Sequence, residues 1–145
     1  MARGLVVYAT RSGNTKEIAQ LVAEGMRIAG VETKVKDASE IRSEADLKGY
    51  DAVVIGSPTY HGEMLQAAKT ILFLAEKAGL EGKVGGAFGA FGWSGEAGER
   101  IFGTLEHVMK MKMVSGPLRL KSAALGGGLQ MAHDYGREVA AKLQE

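Results

Sequence analysis

Apolar and polar positions along this chain follow two repeating periods. Gly4–Ala9 is a short, continuous apolar run containing β-branched and aromatic residues, which predicts a strand buried on both faces, as in a parallel sheet. From Thr15 to Ala29 the period changes: Ile18, Leu21, Val22, Met26 and Ala29 recur at three- and four-residue spacings and form one stripe of a helix, which Gly30 ends. Val31–Lys36 alternates, with Val31, Thr33 and Val35 on one side and Glu32, Lys34 and Lys36 on the other, the pattern of a charged edge strand. Residues 37–49 are polar and predicted irregular, with a helical piece near Glu44–Lys48.

Ala52–Gly56 predicts a short central strand, and Ser57–Glu63 a loop in which Pro58 bars continuation of the ladder. A helix follows over Leu65–Ala78 with Ala68, Ile71, Leu72 and Ala75 inward, ended by Gly79. Val84–Phe88 is a glycine-rich strand, where glycine marks a close neighbour. After a loop at Gly89–Gly95, Glu96–Met109 reads as a helix with Ile101, Phe102, Leu105, Val108 and Met109 inward. Lys112–Leu120 is a fifth strand interrupted at Gly116-Pro117, and Leu125–Leu143 a last helix with Ala132, Tyr135, Val139, Ala140 and Leu143 on one face.

Strand and helix thus alternate five times. That predicts one α/β domain over residues 1–145, an open five-stranded parallel sheet of order 2-1-3-4-5 with helices on both faces. In such a sheet ligands bind beyond the carboxyl ends of the strands, at the switch point between strands 1 and 3. The loops after strands 1, 3 and 4 all fall there.

Composition narrows the chemistry. No cysteine is present, which excludes disulfides, thiolate-held clusters and a cysteine nucleophile. A formal charge of +1 gives no general attraction to nucleic acid or an anionic membrane. No run approaches the ~20 apolar residues of a membrane helix, and the first strand begins too early for a signal peptide. A cytoplasmic location is therefore expected. The 21 glycines predict sharp turns or close backbone approaches to a ligand.

Thr10-Arg11-Ser12-Gly13-Asn14-Thr15 lies between strand and helix. One reading is a plain helix cap. The other is an anion site: three hydroxyls, an amide and a glycine stand before a helix N-terminus whose N–H groups and dipole favour negative charge. Neither a dinucleotide fingerprint nor a P-loop is present. Arg11 reads either as added charge or as a solvated surface residue. In the second loop, Tyr60 and His61 at the tip suit a flat ligand. In the third, Trp93 sits between glycines where it can cover a ring, while peptide groups near Gly92–Gly95 reach its polar edge. Glu96 takes the last glycine position of a nucleophile elbow, and His107 and His133 read as surface residues, so a hydrolase is not expected.

With these residues in place the chain resembles the flavodoxin family. Thr10-x-Ser12-Gly13-Asn14-Thr15 matches the family's T-x-[ST]-G-x-T phosphate loop. Gly56–Met64 and Ala87–Gly95 look like the second and third flavin loops of the flavodoxin-like domain of flavodiiron proteins, and the similarity runs on through Tyr135–Ala140. The resemblance implies non-covalent FMN. Thr10, Arg11, Ser12, Gly13, Asn14 and Thr15 would surround the phosphate. Pro58, Thr59, Tyr60, His61 and Gly62 would line the ribityl chain and ring. Phe91, Gly92, Trp93, Ser94 and Gly95 would cover the other side, with Tyr60 and Trp93 stacking. The His61–Gly62 peptide is the candidate to turn towards flavin N5, because glycine permits the turn. Glu63, Glu96 and the phosphate would add negative charge near the ring.

The implied function is electron transfer between protein redox partners: a reductase or an iron–sulfur or rubredoxin-type donor, and an acceptor enzyme. The alternative is an FMN-dependent NAD(P)H quinone or nitro reductase. A receiver domain is discounted, because Thr10 and Ser57 stand where that fold needs acidic residues. No catalytic residue, metal site, nucleic acid or membrane is expected. There are departures from the subfamily: no metallo-β-lactamase-like domain accompanies the match, so reduction of oxygen or nitric oxide is not expected of this chain alone. His61 replaces an expected asparagine, and the chain is slightly basic where flavodoxins are typically acidic.

Overall fold

A computed structural model describes residues 2–10, 13–60, 63–90, 96–120 and 127–145, excluding the side chain of Tyr60. The elements are β1 (Arg3–Tyr8), α1 (Asn14–Ile28), β2 (Glu32–Asp37), β3 (Ala52–Tyr60), β4 (Glu63–Met64), α2 (Gln66–Ala78), β5 (Val84–Ala90), α3 (Glu96–His107), β6 (Lys112–Met113), β7 (Leu118–Leu120) and α4 (Gly128–Leu143). Two short 3-10 turns, Ala38–Glu40 and Glu44–Leu47, occupy the polar stretch expected to be irregular.

The sheet runs β2-β1-β3-β5-β6, with β7 also on β5 and β4 on β3. Every pairing except β3–β4 is parallel. The predicted order stands, with the interrupted fifth strand present as β6 and β7. Successive residues of β1 serve opposite faces: Leu5 and Val7 pack with Val53, Ile55 and Ala87 under α2 and α3. Val6 and Tyr8 pack with Val54, Phe88, Ile18, Val22 and Tyr135 under α1 and α4. Both faces are covered, which is why β1 shows no polar alternation.

The end of α1 forms as its sequence predicts. Gly30 has φ 95°, its N–H donates to Arg27 O and the Val31 N–H to Met26 O, a Schellman closure. The α1–α4 crossing rests on two glycines with no special place in the sequence pattern. A Cβ on Gly25 would lie 2.2 Å from His133 O, and one on Gly136 2.1 Å from Val22 O. Backbone meets backbone there, so neither position tolerates a side chain.

Three expectations need correction. β3 does not stop at Gly56 but runs through Pro58, which is in register with Ala90. The Ala9 N–H donates to Gly56 O, so Gly56 faces β1, and Pro58, two residues on, faces the same way beyond the last β1 pair at Tyr8. Its missing N–H costs no ladder bond. Second, α3 ends at His107, leaving Val108 54% exposed rather than inward. Third, His133 is not a surface residue: its side chain is 16% exposed and lies 3.5 Å from Glu24.

Candidate functional site

The carboxyl ends of β1, β3 and β5 lie side by side, tied by the Ala9–Gly56 bond and by β3–β5 pairing up to Pro58–Ala90. Their spacing depends on a ring laid on a glycine. Gly56 and Phe88 are register partners, Phe88 is fully buried, and a Cβ on Gly56 would sit 2.1 Å from its ring.

Beyond β1 the chain turns at Gly13, whose φ of 92° suits glycine. The Gly13 N–H donates to Thr10 Oγ1 at 2.9 Å, which closes the turn. Gly13 is the N-cap of α1 and has no side chain to cap with. Among the described residues no group accepts from the first-turn N–H groups of Asn14, Thr15 and Lys16; the first helical bond is Glu17 N–H to Gly13 O. A Cβ on Gly13 would meet nothing within 4 Å, so the turn opens outward. Donors left without an acceptor among the described residues, at a helix start beside an open glycine, fit a phosphate. Of the other residues expected there, Asn14 is exposed, Thr15 is buried, and Arg11 and Ser12 lie outside the described residues.

At the end of β3, Ser57 is fully buried. Its hydroxyl donates to Pro58 O and accepts the Leu65 N–H, which ties the strand to the start of α2. Pro58 is buried and Thr59 half-buried. Thr59 Oγ1 accepts the Ala97 N–H of α3 at 3.0 Å. Thr59 and Tyr60 pair antiparallel with Met64 and Glu63; between these pairs in sequence stand His61 and Gly62. Those two residues lie outside the described set, as do Phe91, Gly92, Trp93, Ser94 and Gly95. The flanks of the third loop are fixed: a Cβ on Gly89 would lie 3.1 Å from Gly98 N, so the first turn of α3 sits against the end of β5.

Charge at this end is more balanced than Glu63 alone suggests. Its carboxylate lies 3.2 Å from Arg100 and 3.5 Å from Lys69, and Arg119 pairs with Glu99 at 2.7 Å. At the end of β1, burial first, then the nearby Asp37 and Glu40 carboxylates, push the Tyr8 phenol above its ordinary pKa. Among the described residues there is no cluster of metal-ligating side chains, and no helix is long and apolar enough to cross a membrane.

Sequence reasoning missed one bracing residue altogether. Tyr135 reads as an apolar position of α4, yet its hydroxyl donates to Gly116 O at 2.8 Å and accepts the Ala87 N–H at 3.0 Å. β6 pairs with β5 at Val84–Gly85 and β7 at Phe88–Ala90, so the phenol fills the gap between them. A Cβ on Gly86 would lie 3.1 Å from that hydroxyl, which accounts for one of the glycines in β5. Burial holds the phenol well above its ordinary pKa, offset in part by the Ala87 N–H. The only signal in the sequence was the Gly116-Pro117 interruption, which leaves a neighbouring strand short of a partner.

Known proteins agree with this geometry. The Flavodoxin domain profile matches residues 5–91. A protein named diflavin flavoprotein A 6, from Nostoc sp., is 31% identical over 97% of this chain and 25% of its own length. An NAD(P)H dehydrogenase (quinone) of Gluconacetobacter diazotrophicus is 34% identical over 61% of this chain and 56% of its own. A solved flavodoxin from the domain Archaea superposes with a TM-score of 0.89 at 28% identity, covering 99% of both chains. The chain spans about a quarter of the length of the Nostoc protein and about half that of the quinone dehydrogenase. By the profile match over its β1–β5 core and the superposition over nearly its whole length, the chain belongs to the flavodoxin family.

Proposed function

We propose that this chain binds FMN non-covalently and carries electrons between protein redox partners as a single flavodoxin-like domain. The observation that supports this most is the open first turn of α1, with N–H donors that no described residue accepts from and with Gly13, beside the aligned ends of β1, β3 and β5. Thr10, Arg11, Ser12, Gly13, Asn14 and Thr15 hold the phosphate, Thr15 through its backbone because its side chain is buried. Pro58, Thr59, Tyr60, His61 and Gly62 border one side of the ring. Phe91, Gly92, Trp93, Ser94 and Gly95 border the other.

FMN, when bound, supplies the redox chemistry; the chain binds it, orients it and sets its electrostatic surroundings. Glu63 is paired to Arg100 and Lys69, which offsets its charge. The partners in this reading are a reductase or an iron–sulfur or rubredoxin-type donor on one side and an acceptor enzyme on the other. The test is an FMN titration of the purified chain followed by absorbance and flavin fluorescence. Saturable one-to-one binding is expected; failure to bind FMN sinks the proposal.

One observation favours a second reading, reduction of quinones by NAD(P)H: the 34% identity to an enzyme of that name. Rapid NAD(P)H oxidation by the FMN-loaded chain with quinone, and no partner protein, would decide for it.

A further inference from the structure

β2 is the outermost strand of the sheet, with β1 on one side and, among the described residues, no strand on the other. Its Glu32 N–H donates to Ala2 O, towards β1. Peptide groups alternate in direction along a strand, so those of Glu32, Lys34 and Lys36 face β1 and those of Thr33, Val35 and Asp37 face outward. Such a row is a template for another strand. Here it is occupied at two points. The Arg27 guanidinium, from the last turn of α1, donates to Thr33 O through Nε at 3.1 Å and Nη2 at 2.7 Å. At the far end the Asp37 N–H donates to the Glu40 carboxylate at 2.9 Å. Val35 stands between them.

A second copy of this chain meets this edge antiparallel, about a two-fold axis. Two registers bring outward peptide groups opposite each other near the middle of the strand. With Val35 opposite itself, Lys34 faces Lys36 of the other copy on both sides of the axis, and like charges directly opposite are unfavourable. That register also needs the Asp37 N–H that Glu40 holds. With Thr33 opposite Val35, Glu32 faces Lys36 of the other copy on both sides, and only Lys34 meets its like. Charge therefore favours the second register. Its bonds run from Val35 N–H to Thr33 O and from Thr33 N–H to Val35 O. Two guanidinium donors already converge on that Thr33 oxygen, which leaves no lone pair for an incoming N–H.

We infer that the outer edge of β2 is a self-complementary interface for a second copy of this chain, held shut by Arg27. The side chain takes the acceptor that the favoured register needs and so keeps the chain monomeric.

The experiment compares wild type with Arg27→Met, which keeps a long unbranched stem without donors. A third protein adds Lys36→Glu to Arg27→Met, which sets like charges opposite each other in the favoured register. A fourth adds Glu32→Lys as well, which exchanges the two charges. Sedimentation velocity over a concentration series gives the dimer Kd, and hydrogen exchange reads the Val35 amide. Wild type is expected to stay monomeric. Arg27→Met is expected to lower the dimer Kd at least about tenfold, with Val35 exchange slowing as concentration rises. Lys36→Glu should undo this, and the further Glu32→Lys should restore it. If circular dichroism shows Arg27→Met unfolded, Arg27→Gln carries the same comparison, being a good helix former without the two-donor fork. Association no tighter than wild type overturns the inference, because Arg27 then holds nothing shut. Association that Lys36→Glu leaves untouched, or that leaves Val35 exchange unchanged, also overturns it, because another surface is then in use. Wild type that dimerises with Val35 protected overturns it as well, because the edge is then open.

Discussion

The Tyr135 hydroxyl lies 3.0 Å from the Ala87 nitrogen, in the stretch where β5 has lost β6 and not yet gained β7. A side chain from α4 thus completes a sheet. Its second bond, to Gly116 O, serves the other side of the same gap. Tyr135→Phe keeps the ring but leaves a buried N–H and a C=O without partners. An unsatisfied buried group costs about 1–3 kcal/mol, so a loss of stability in that range is expected in urea unfolding. An unchanged midpoint would show that water replaces the phenol.

The same phenol predicts a pH dependence. Its folded-state pKa is raised above the ordinary 10.0, so it stabilises the fold below about pH 10, and that stabilisation is lost as pH rises towards the folded value. In denaturation series from neutral to alkaline pH, wild type should converge on Tyr135→Phe as pH rises above 10. Curves that stay parallel would contradict the assignment.

Gly56 and Phe88 form a pair in which one residue must be small because the other is large. Gly56→Ala places a Cβ 2.1 Å from the ring, and overpacking of this kind costs about 1–3 kcal/mol. Adding Phe88→Leu should recover part of the loss. The two changes should therefore be non-additive in a double-mutant cycle; strict additivity would mean that the ring does not rest on the glycine.

Glycine in a helix is ordinarily a weakness, and replacement by alanine recovers about 1 kcal/mol. At Gly103 of α3 nothing lies within 4 Å of a Cβ, so Gly103→Ala should stabilise. At Gly136 the Cβ would lie 2.1 Å from a backbone oxygen. The backbone cannot step aside as a flexible side chain could, so there the clash outweighs propensity and Gly136→Ala should destabilise. Thermal unfolding of both variants, read against each other, checks the α1–α4 contact.

Trp93→Ala tests the ring-covering role expected from sequence. Stacking of a base on an aromatic side chain is worth roughly 1–3 kcal/mol, so FMN affinity should fall by about fivefold to 150-fold. Equal affinity would remove Trp93 from the site.

Much of this molecule can be read from periodicity. Gly30 and Gly79 end helices where predicted, and the continuous apolar run of β1 correctly implies cover on both faces. The turn before α1 was legible because Gly13 stands between an apolar run and the start of a helical stripe. What could not be read depends on partners distant in sequence. Pro58 reads as a strand breaker unless it is known that β1 ends two residues earlier in register. Thr59 reads as a ligand-loop hydroxyl, and nothing local shows that its acceptor is taken by Ala97. Tyr135 reads as a core position because its hydroxyl matters only opposite a gap between two other strands. Gly25 and Gly136 read as ordinary helix residues because their need for smallness arises only where α1 crosses α4.

The length of β3 has one more consequence. It continues from Gly56, its last residue paired with β1, to Tyr60, an overhang of about 13 Å at ~3.3 Å per residue. The sheet therefore ends in a step rather than a straight rim. On the β1 side that step presents Pro58, which has no N–H to offer a docking strand. A strand edge is the usual place where two chains begin to aggregate, and this one is blunted where it is longest.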